Sequence, residues 1–431
     1  MSYENFITKL LNIKPSDLLS VMSSSAKDGS IILKVRLKPK ECYCHICNIP
    51  GKTHGYYQRK LTHSTLVNRQ CIIIYEQRRY KCSECGSTFS ERNPFIDTSE
   101  RVTYETKINV LKDLKQPENT YKSIAQKYNL SATKVTRIFD KHVTIKRKPL
   151  PMVLSIDEHY FPSSDYGTKY CCLFMNFQTG IMIDIIYDRK KNCLTDYFSS
   201  IKNETLDMRT LKSELDNVKY ISIDMYDTYR DIANIFFPKA KVCADSFHVL
   251  KHLTDDFRKI RLRLARNTED HTLKYLLVKF RSIFDHNKNI DNEPRYNKRL
   301  NRYVNLRDIR DIVFNAFEEL RAAYELKEYY IRLNAETTLE EAPKVIDEAI
   351  EYFESCGIEE YEEFYKMLTN WHEEIINSFT LINGKRINNS YMESKNRVLS
   401  RLIFNANGFK NFERTRNRML YCLNPDDTFR L

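Results

Sequence analysis

Two aspartates far apart in the sequence have positions that suit a shared cation site. Asp157 and Asp224 each follow a short, mainly apolar run, 153–156 and 221–223, that is typical of a buried strand. If the two strands are adjacent, the carboxylates are like charges held close together, and that arrangement requires a cation. Either aspartate could instead be an ordinary cap for the segment that follows it. A third carboxylate is the test that separates the two interpretations.

Glu393 is the best candidate for that third carboxylate. Helical spacing predicts a polar stripe on one face of its helix, formed by Asn389, Glu393, Asn396, Arg397 and Ser400. One acid among amides and cations suits a metal ligand that lies beside phosphate groups. A solvated helix face is the alternative.

Two cysteine pairs have the spacing of zinc ligands. Cys44-x-x-Cys47 and Cys82-x-x-Cys85 are separated by 34 residues that are rich in β-formers. Each pair can place two sulfurs on one turn, which predicts a tetrahedral structural Zn²⁺ site without an open position. Gly86 fits the tight turn after the second pair. Cys42 and His45 are spare candidates, so one ligand could be exchanged, and four unrelated buried cysteines are the alternative.

A helix-turn-helix is predicted over residues 120–139. The pattern indicates a helix, a short turn at Asn129-Leu130 and a second helix capped by Ser131. Four polar residues of the second helix remain free for a DNA groove, namely Thr133, Lys134, Thr136 and Arg137. A helical hairpin without DNA contacts is the alternative.

The positive charge of the chain is concentrated in its first third. The net charge is +12, yet residues 1–150 hold 27 basic and 13 acidic side chains, while residues 151–431 hold 42 and 44. Basic residues alternate with tyrosines around the cysteine pairs, which favours contacts with phosphates and bases. Within this region we expect DNA contacts from Arg59, Lys60, Arg78 and Arg79.

The order of elements predicts an α/β domain after residue 149. Strands are expected at 153–156, 170–176, 181–187, 220–223 and 241–244, with helices near 192–202 and over 227–236. Residues 248–375 lack clear strand patterns and have dense charge with heptad-like apolar spacing, which indicates an all-helical insertion. Residues 246–310 hold 16 basic and 8 acidic side chains, so this part could lie on nucleic acid. Residues 311–374 hold 5 basic and 18 acidic side chains, which could face a partner chain or form a solvated helix face.

Several general classes of protein are disfavoured by the sequence. There is no apolar run of about 18 residues for a membrane span. The first residues lack the basic segment and apolar stretch of a signal peptide, so we expect cytoplasmic residence. In that compartment the 12 cysteines are metal ligands, buried thiols or nucleophiles rather than disulfides.

The motifs together resemble the bacterial insertion-sequence DDE transposases of the ISL3 family. The resemblance covers nearly the whole chain and rests on the cysteine pairs, the helix-turn-helix and five further segments in the same order: 155–158, 224–226, 244–249, 393–396 and 408–412. It implies an RNase H-like catalytic domain with Asp157, Asp224 and Glu393 as catalytic residues. Asp245 and His248 resemble an auxiliary Asp-x-x-His element of such enzymes, with Ser246 where Arg is usual.

The resemblance also implies chemistry and organisation. Two Mg²⁺ ions, or Mn²⁺, would be held by the three carboxylates, and Arg397 and Arg401 would contact the scissile phosphate. The implied domains are 1–100 with the zinc ribbon, 101–148 with the helix-turn-helix, 149–247 and 381–431 as the two parts of the catalytic domain, and 248–380 as the insertion. The implied partners are double-stranded DNA, as transposon ends and target, and a second copy of the chain.

Two alternatives to a transposase stay open from the sequence. One is a DNA-binding regulator without catalysis. It gives no reason for acids at two strand ends and on a helix stripe, because acids repel phosphates unless a metal intervenes. The other is an RNase H-like nuclease that cuts without joining, which would use the same site.

Overall fold

The computed structural model describes residues 3–66, 69–97, 99–163, 167–406 and 411–431. The chain divides into two compact units, Met1–Lys146 with Val398–Leu431, and Arg147–Arg397. Residues 408–410, which belong to one segment of the family resemblance, lie outside the described residues.

The first unit begins with a helix and a sheet. These elements are α1 (Tyr3–Leu10), β1 (Leu18–Ser25), β2 (Ile31–Leu37), β3 (Lys52–Leu66), β4 (Arg69–Lys81) and β5 (Thr88–Ser90). The strand order is β1-β2-β4-β3, with β5 paired to β4. Burial alternates along β2 and along the first half of β4, as expected for strands with one face on a core.

Three helices follow in the same unit. They are α2 (Tyr104–Leu114), α3 (Tyr121–Lys127) and α4 (Ala132–His142). Thr120 caps α3 through a hydrogen bond from Ser123 N, and Ser131 caps α4 by accepting from Lys134 N. Between the two helices Asn129 has a φ of 52°, a left-handed conformation that asparagine tolerates. The predicted helices, the turn and the Ser131 cap are therefore present.

The second unit is built on a mixed sheet. Its first elements are β6 (Val153–Ser163), β7 (Thr168–Asn176), β8 (Met182–Ile186), α5 (Lys191–Thr205), β9 (Tyr220–Ile223), α6 (Asp227–Phe236) and β10 (Lys241–Ala244). The strand order is β10-β9-β6-β7-β8. Strands β6, β7 and β8 pair antiparallel, while β9 and β10 run parallel to β6. The sheet thus has a meander on one side and two short parallel strands on the other.

One strand of this sheet is longer than predicted. A strand was expected at 153–156, but β6 continues to Ser163 because it forms a hairpin with β7, in which Asp157 pairs with Leu173. Asp157 therefore lies inside β6 and not at its end. On its other side β6 pairs with β9 only over 153–155, so Asp157 lies just past the end of that shorter pairing.

Helices fill most of the chain between β10 and the last elements. They are α7 (Ser246–Asn267), α8 (His271–Lys279), α9 (Leu306–Ala316), α10 (Glu318–Glu336), α11 (Ala342–Ser355), α12 (Glu362–Asn370) and α13 (His372–Asn377). A short hairpin, β11 (Arg295–Asn297) and β12 (Arg302–Val304), interrupts them and was not predicted. A second short hairpin, β13 (Leu381–Ile382) and β14 (Lys385–Arg386), follows α13. Buried residues of these helices and of the sheet form one continuous apolar core.

Two helices end the chain, α14 (Ser390–Ala406) and α15 (Phe412–Leu423). The division between the units falls within α14, after Arg397. In the first unit α15 packs on α2 and α4: Tyr421 donates a hydrogen bond to Leu111 O at 3.0 Å, and its ring lies 6.1 Å from that of Phe139. No helix in the described ranges has the length and apolar character needed to cross a membrane.

Candidate active site

Two parallel strands bring Asp157 and Asp224 to the same end of the sheet. The register pairs Val153 with Tyr220 and Ser155 with Ser222, and continuing it by two residues sets Asp157 level with Asp224. One ligand atom each of Asp157, Asp224 and His248 lies within 4.8 Å of the others. The expected juxtaposition of the two aspartates is therefore present, with a histidine added.

His248 reaches this group from the first turn of α7. Asp245 caps that helix by accepting a hydrogen bond from Phe247 N at 3.3 Å, which fixes where the turn begins. His248 Nε2 lies 2.9 Å from Asp224 Oδ1 and 3.9 Å from Asp245 Oδ2. Burial lowers the pKa of His248, but Asp224 and the other two aspartates outweigh burial and raise the pKa above its ordinary value. His248 therefore compensates part of the negative charge.

Asp157 is the carboxylate most perturbed by its surroundings. It is only 7% exposed, and burial, followed by repulsion from Asp224, raises its pKa to about 8. Its Oδ1 accepts from Glu158 N at 2.7 Å and its Oδ2 from Asn396 Nδ2 at 2.8 Å. Both oxygens are held in place while the charge lacks a full counterion. Hard oxygen ligands with unbalanced charge fit a divalent cation such as Mg²⁺ or Mn²⁺.

The start of α14 is attached to the same end of β6. Asn389 Nδ2 donates to Ile156 O at 3.3 Å, and Asn389 N donates to Asp245 Oδ1 at 3.2 Å. Met392 and Leu399 are fully buried, as expected for the apolar side of this helix. Glu393 and Asn396 consequently face the sheet end that carries Asp157.

A single cavity of about 490 Å³ collects these side chains. It is lined by Asp157, Glu158, Asp224, Phe247, His248, Glu393, Asn396 and Arg397. In the described part of the chain, Glu393 lies in this cavity but outside the group whose ligand atoms approach within 4.8 Å. The cavity thus joins four carboxylates, Glu158 among them, to an exposed arginine, and this donor set fits metal ions beside a phosphate.

The family of the chain follows from a comparison with family models. The model of the DDE transposases named ISL3, described as transposase, matches residues 154–419. This match spans more than half of the chain and includes all four carboxylates. The chain belongs to the ISL3 family of DDE transposases. Among curated proteins, none matches it. Membership implies a nucleotidyl-transfer enzyme with DNA as its substrate.

The first unit of this transposase contains a cluster of four thiols. Sulfur atoms of Cys44, Cys47, Cys82 and Cys85 lie within 4.8 Å of one another, which fits a zinc ribbon. Gly86 has a φ of +71°, as predicted for the turn after the second pair. The spare candidates Cys42 and His45 are not in the group that the described residues form.

The thiols of this cluster perturb one another. A hydrogen bond with the Ser87 hydroxyl lowers the pKa of Cys44 to about 6, and a hydrogen bond with Cys85 raises the pKa of Cys47 to about 12. Four thiolates at this spacing would repel one another, so a bound Zn²⁺ would stabilise both the charges and the surrounding turns.

One predicted DNA contact of the transposase has to be corrected. Arg78 is only 2% exposed, and its guanidinium donates to Leu37 O at 3.2 Å and to Tyr56 Oη at 3.2 Å, with Glu91 Oε2 at 3.6 Å. It has no access to a phosphate. Its neighbour Arg79 is exposed and bonds only the Thr88 hydroxyl among described partners.

The other predicted DNA contacts lie mainly at the surface. Lys60, Thr133, Arg137 and Arg397 are exposed, while Arg59, Lys134 and Thr136 are half-buried. Arg59 donates to Glu100 O at 3.2 Å, and Thr136 to Ala132 O at 2.9 Å. Arg401 is exposed and pairs with Glu118 at 3.1 Å, and it does not line the cavity of Arg397.

Sequence reasoning missed two polar residues of the cavity. Glu158 accepts from Tyr229 Oη at 3.0 Å and forms an ion pair with Arg189. Asn396 was placed on the polar face of its helix but not assigned to the site. The signal for Glu158 was its position directly after Asp157. The signal for Asn396 was its i, i+3 spacing from Glu393, which puts both on one helix face.

Proposed function

We propose that this transposase binds the terminal inverted repeats of an insertion sequence and catalyses metal-dependent DNA strand cleavage and strand transfer. The observation that carries the proposal is the shared cavity of Asp157, Asp224, Glu393 and Arg397. A site that only binds DNA has no use for three acids facing a phosphate, because they repel it without a cation. The family match over the same residues supports this assignment.

The sheet supports an RNase H-like catalytic domain. Three antiparallel strands followed by two parallel strands, in the order β10-β9-β6-β7-β8, place the middle strand β6 next to β9. This arrangement brings the carboxylates of residues 157 and 224 together at one end. The helices between β10 and α14 then form the insertion that separates Glu393 from the two aspartates.

The cation site would be formed by Asp157, Asp224 and Glu393. Bound Mg²⁺ or Mn²⁺ ions, two in number, would activate the attacking oxygen and stabilise the leaving oxygen of the phosphodiester. Asp157, the most buried of these three acids, would hold the ions together with Asp224 and Glu393. Asn396 orients Asp157 and His248 orients Asp224, so the two aspartates keep fixed positions when DNA enters.

The reaction would proceed in two displacements at phosphorus. Water first attacks the phosphodiester at the transposon end, and the leaving group is the 3′-oxygen of that end, which becomes a free hydroxyl. This 3′-hydroxyl then attacks a phosphodiester of the target, and the bond to the target 3′-oxygen breaks. Arg397 would contact the phosphate in both displacements.

DNA recognition would come from the first unit and from the face of the cavity. We propose contacts from Arg59, Lys60, Arg79, Thr133, Lys134, Thr136 and Arg137, with Arg397 and Arg401 near the cleaved strand. Structural Zn²⁺ would be held by the four cysteines and support folding only. The proposed active form is a homodimer, because paired ends require paired active sites. The domain boundaries and the cytoplasmic residence stay predictions.

A joining assay tests the proposed function. The protein is incubated with duplex DNA that carries the ends of its own element, a supercoiled target plasmid and Mg²⁺. We expect products in which the end is joined to the target. Nicked DNA without joined products would favour a nuclease, and binding without any strand break would favour a regulator.

Three substitutions connect the assay to the cavity. Asp157→Asn, Asp224→Asn and Glu393→Gln should each lower joining by about a thousandfold or more while binding of end DNA persists. Glu413→Gln, an exposed acid on α15, is the matched control and should leave joining unchanged. A Glu393→Gln protein that still joins ends would remove this residue from the catalytic set.

A further inference from the structure

A second cavity lies among the helices of the insertion. Its volume is about 410 Å³, and it shares no residue with the cavity around Asp157. Four cationic side chains line it: Arg258 and Arg261 from α7, Arg281 from the short 3-10 helix that follows α8, and Lys327 from α10. Two aspartates, Asp255 and Asp285, also reach it.

Two of these cations are buried, and only one of them is neutralised. Lys327 is 2% exposed and has partners, since its Nζ donates to Phe284 O at 2.8 Å and pairs with Glu328. Arg261 is 6% exposed and donates to Leu277 O at 2.5 Å. Across the described ranges no carboxylate lies within ion-pair distance of Arg258, Arg261 or Arg281. A buried guanidinium without an ion-pair partner is costly, and this cost favours binding of an anion beside Arg261.

The three arginines also repel one another. Burial, followed by the charges of Arg258 and Arg281, lowers the pKa of Arg261, although Asp285 acts in the opposite direction. Arg258 and Arg281 are exposed and lie at the mouth, where a solute can reach them. Three guanidinium groups thus converge on one space that is open to solvent.

We propose that this cavity binds a phosphate group, carried either by the DNA backbone or by a free nucleotide or pyrophosphate. Guanidinium groups bind phosphate oxygens through paired, charge-assisted hydrogen bonds, and several arginines around one anion are the usual way to hold it. The volume is that of a small-ligand site, and Phe257 and Phe284 provide apolar walls. The proposal does not depend on the catalytic function of Asp157, Asp224 and Glu393.

Direct binding of pyrophosphate to the full chain tests the site. Titration calorimetry is done with EDTA present, so that no metal ion can hold the anion at the carboxylates. We expect saturable binding that weakens at least about tenfold in Arg258→Gln and in Arg281→Gln, since each loses charge-assisted hydrogen bonds. Both residues are exposed, so these variants should fold. Arg266→Gln removes an exposed arginine of the same helix that does not line the cavity, and it should bind like the unchanged protein.

A parallel titration identifies the source of the phosphate. If duplex DNA of random sequence also loses affinity in Arg258→Gln and Arg281→Gln but not in Arg266→Gln, the DNA backbone occupies the cavity. If only pyrophosphate binding is lost, the ligand is a free phosphate compound. The proposal is overturned if neither ligand distinguishes the two cavity variants from Arg266→Gln.

Discussion

Asn396 donates from Nδ2 to Oδ2 of Asp157 over 2.8 Å, although 239 positions separate them in the chain. The other end of the same amide, Oδ1, lies 3.1 Å from His159 Nδ1. Burial lowers the pKa of His159, so its ring is neutral at pH 7 and can donate this hydrogen bond from Nδ1. The orientation of the amide is thereby fixed, and only its NH₂ group is available to Asp157.

This relationship predicts the effect of Asn396→Asp. A carboxylate in place of the amide removes the donor and adds a like charge beside Asp157, so the pKa of Asp157 rises further and metal binding requires a higher pH. We expect joining at pH 7 to fall by about a hundredfold and its pH optimum to move upward. Ser394→Ala, on an exposed position of the same helix, is the control. An unchanged pH profile would show that Asn396 does not tune Asp157.

The raised pKa of Asp157 predicts the pH dependence of folding stability without metal. Because the pKa of Asp157 is about 8 in the folded state, its carboxyl keeps a proton up to about pH 8, whereas the unfolded chain releases it near the ordinary pKa of 3.8. The stability that this proton provides is fully present below pH 4 and is lost as the pH rises through 8. Asp157→Asn removes the effect, so this variant should gain stability relative to the unchanged protein as the pH rises.

Urea unfolding in EDTA at pH 5.5 and pH 8.5 measures this difference. The advantage of Asp157→Asn should be larger at pH 8.5, by about 1–3 kcal/mol. Added Mn²⁺ should stabilise the unchanged protein and not the variant. Asp311→Asn, an exposed aspartate of α9, should show no pH-dependent gain. Equal differences at both pH values would contradict a raised pKa at Asp157.

The thiol cluster predicts one zinc ion per chain. Cys85→Ser removes one of the four sulfurs that lie within 4.8 Å of one another, and it should abolish stoichiometric zinc and destabilise the first unit. Cys42→Ser is the matched control, because Cys42 is close in sequence but outside the cluster. Metal analysis and thermal unfolding check both variants. Loss of zinc in Cys42→Ser instead would identify an exchanged ligand.

Substitutions of the neighbouring residues Arg78 and Arg79 should affect different properties, namely folding stability for Arg78 and DNA binding for Arg79. Arg78→Ala leaves Glu91 without its buried partner and removes hydrogen bonds in the interior, so stability should fall by about 3–5 kcal/mol. Arg79→Ala changes an exposed residue and should alter stability by less than about 0.5 kcal/mol. It should weaken DNA binding with a smaller salt dependence. Chemical denaturation and DNA titration at two salt concentrations separate the two effects.

The sequence predicted the buried parallel strands most accurately. Strands β9 and β10 and helix α6 have the predicted bounds, because short apolar runs with clear polar ends leave little choice of structure. The end of β6 could not be predicted from an apolar run with polar ends. Residues 158–163 are mostly polar or aromatic and extend the strand only because β7 offers a partner.

Local sequence patterns also do not predict that a polar side chain is buried by residues far away in the sequence. Arg78 stands in a basic, tyrosine-rich stretch that reads as surface, yet Leu37 O and Glu91 enclose it. The positions of Asp157 and Asp224 were easier to predict than the burial of Arg78. Each aspartate directly follows an apolar strand, so its carboxylate is expected at the end of that run. The sequence places Glu158 next to Asp157 and Asn396 on the polar face of its helix, but their entry into the cavity depends on how the strand and the helix pack together.

The hydrogen bond from Asn389 N to Asp245 Oδ1 connects the point where the chain leaves the sheet of the second unit, after β10, with the start of α14. The 143 residues between Asp245 and Asn389 therefore start and finish at the same place, because both ends are fixed by this hydrogen bond. A segment whose two ends are held together can be lengthened, shortened or replaced without displacing the residues at the attachment point. A change in the length of the insertion therefore need not move the carboxylates of the cavity.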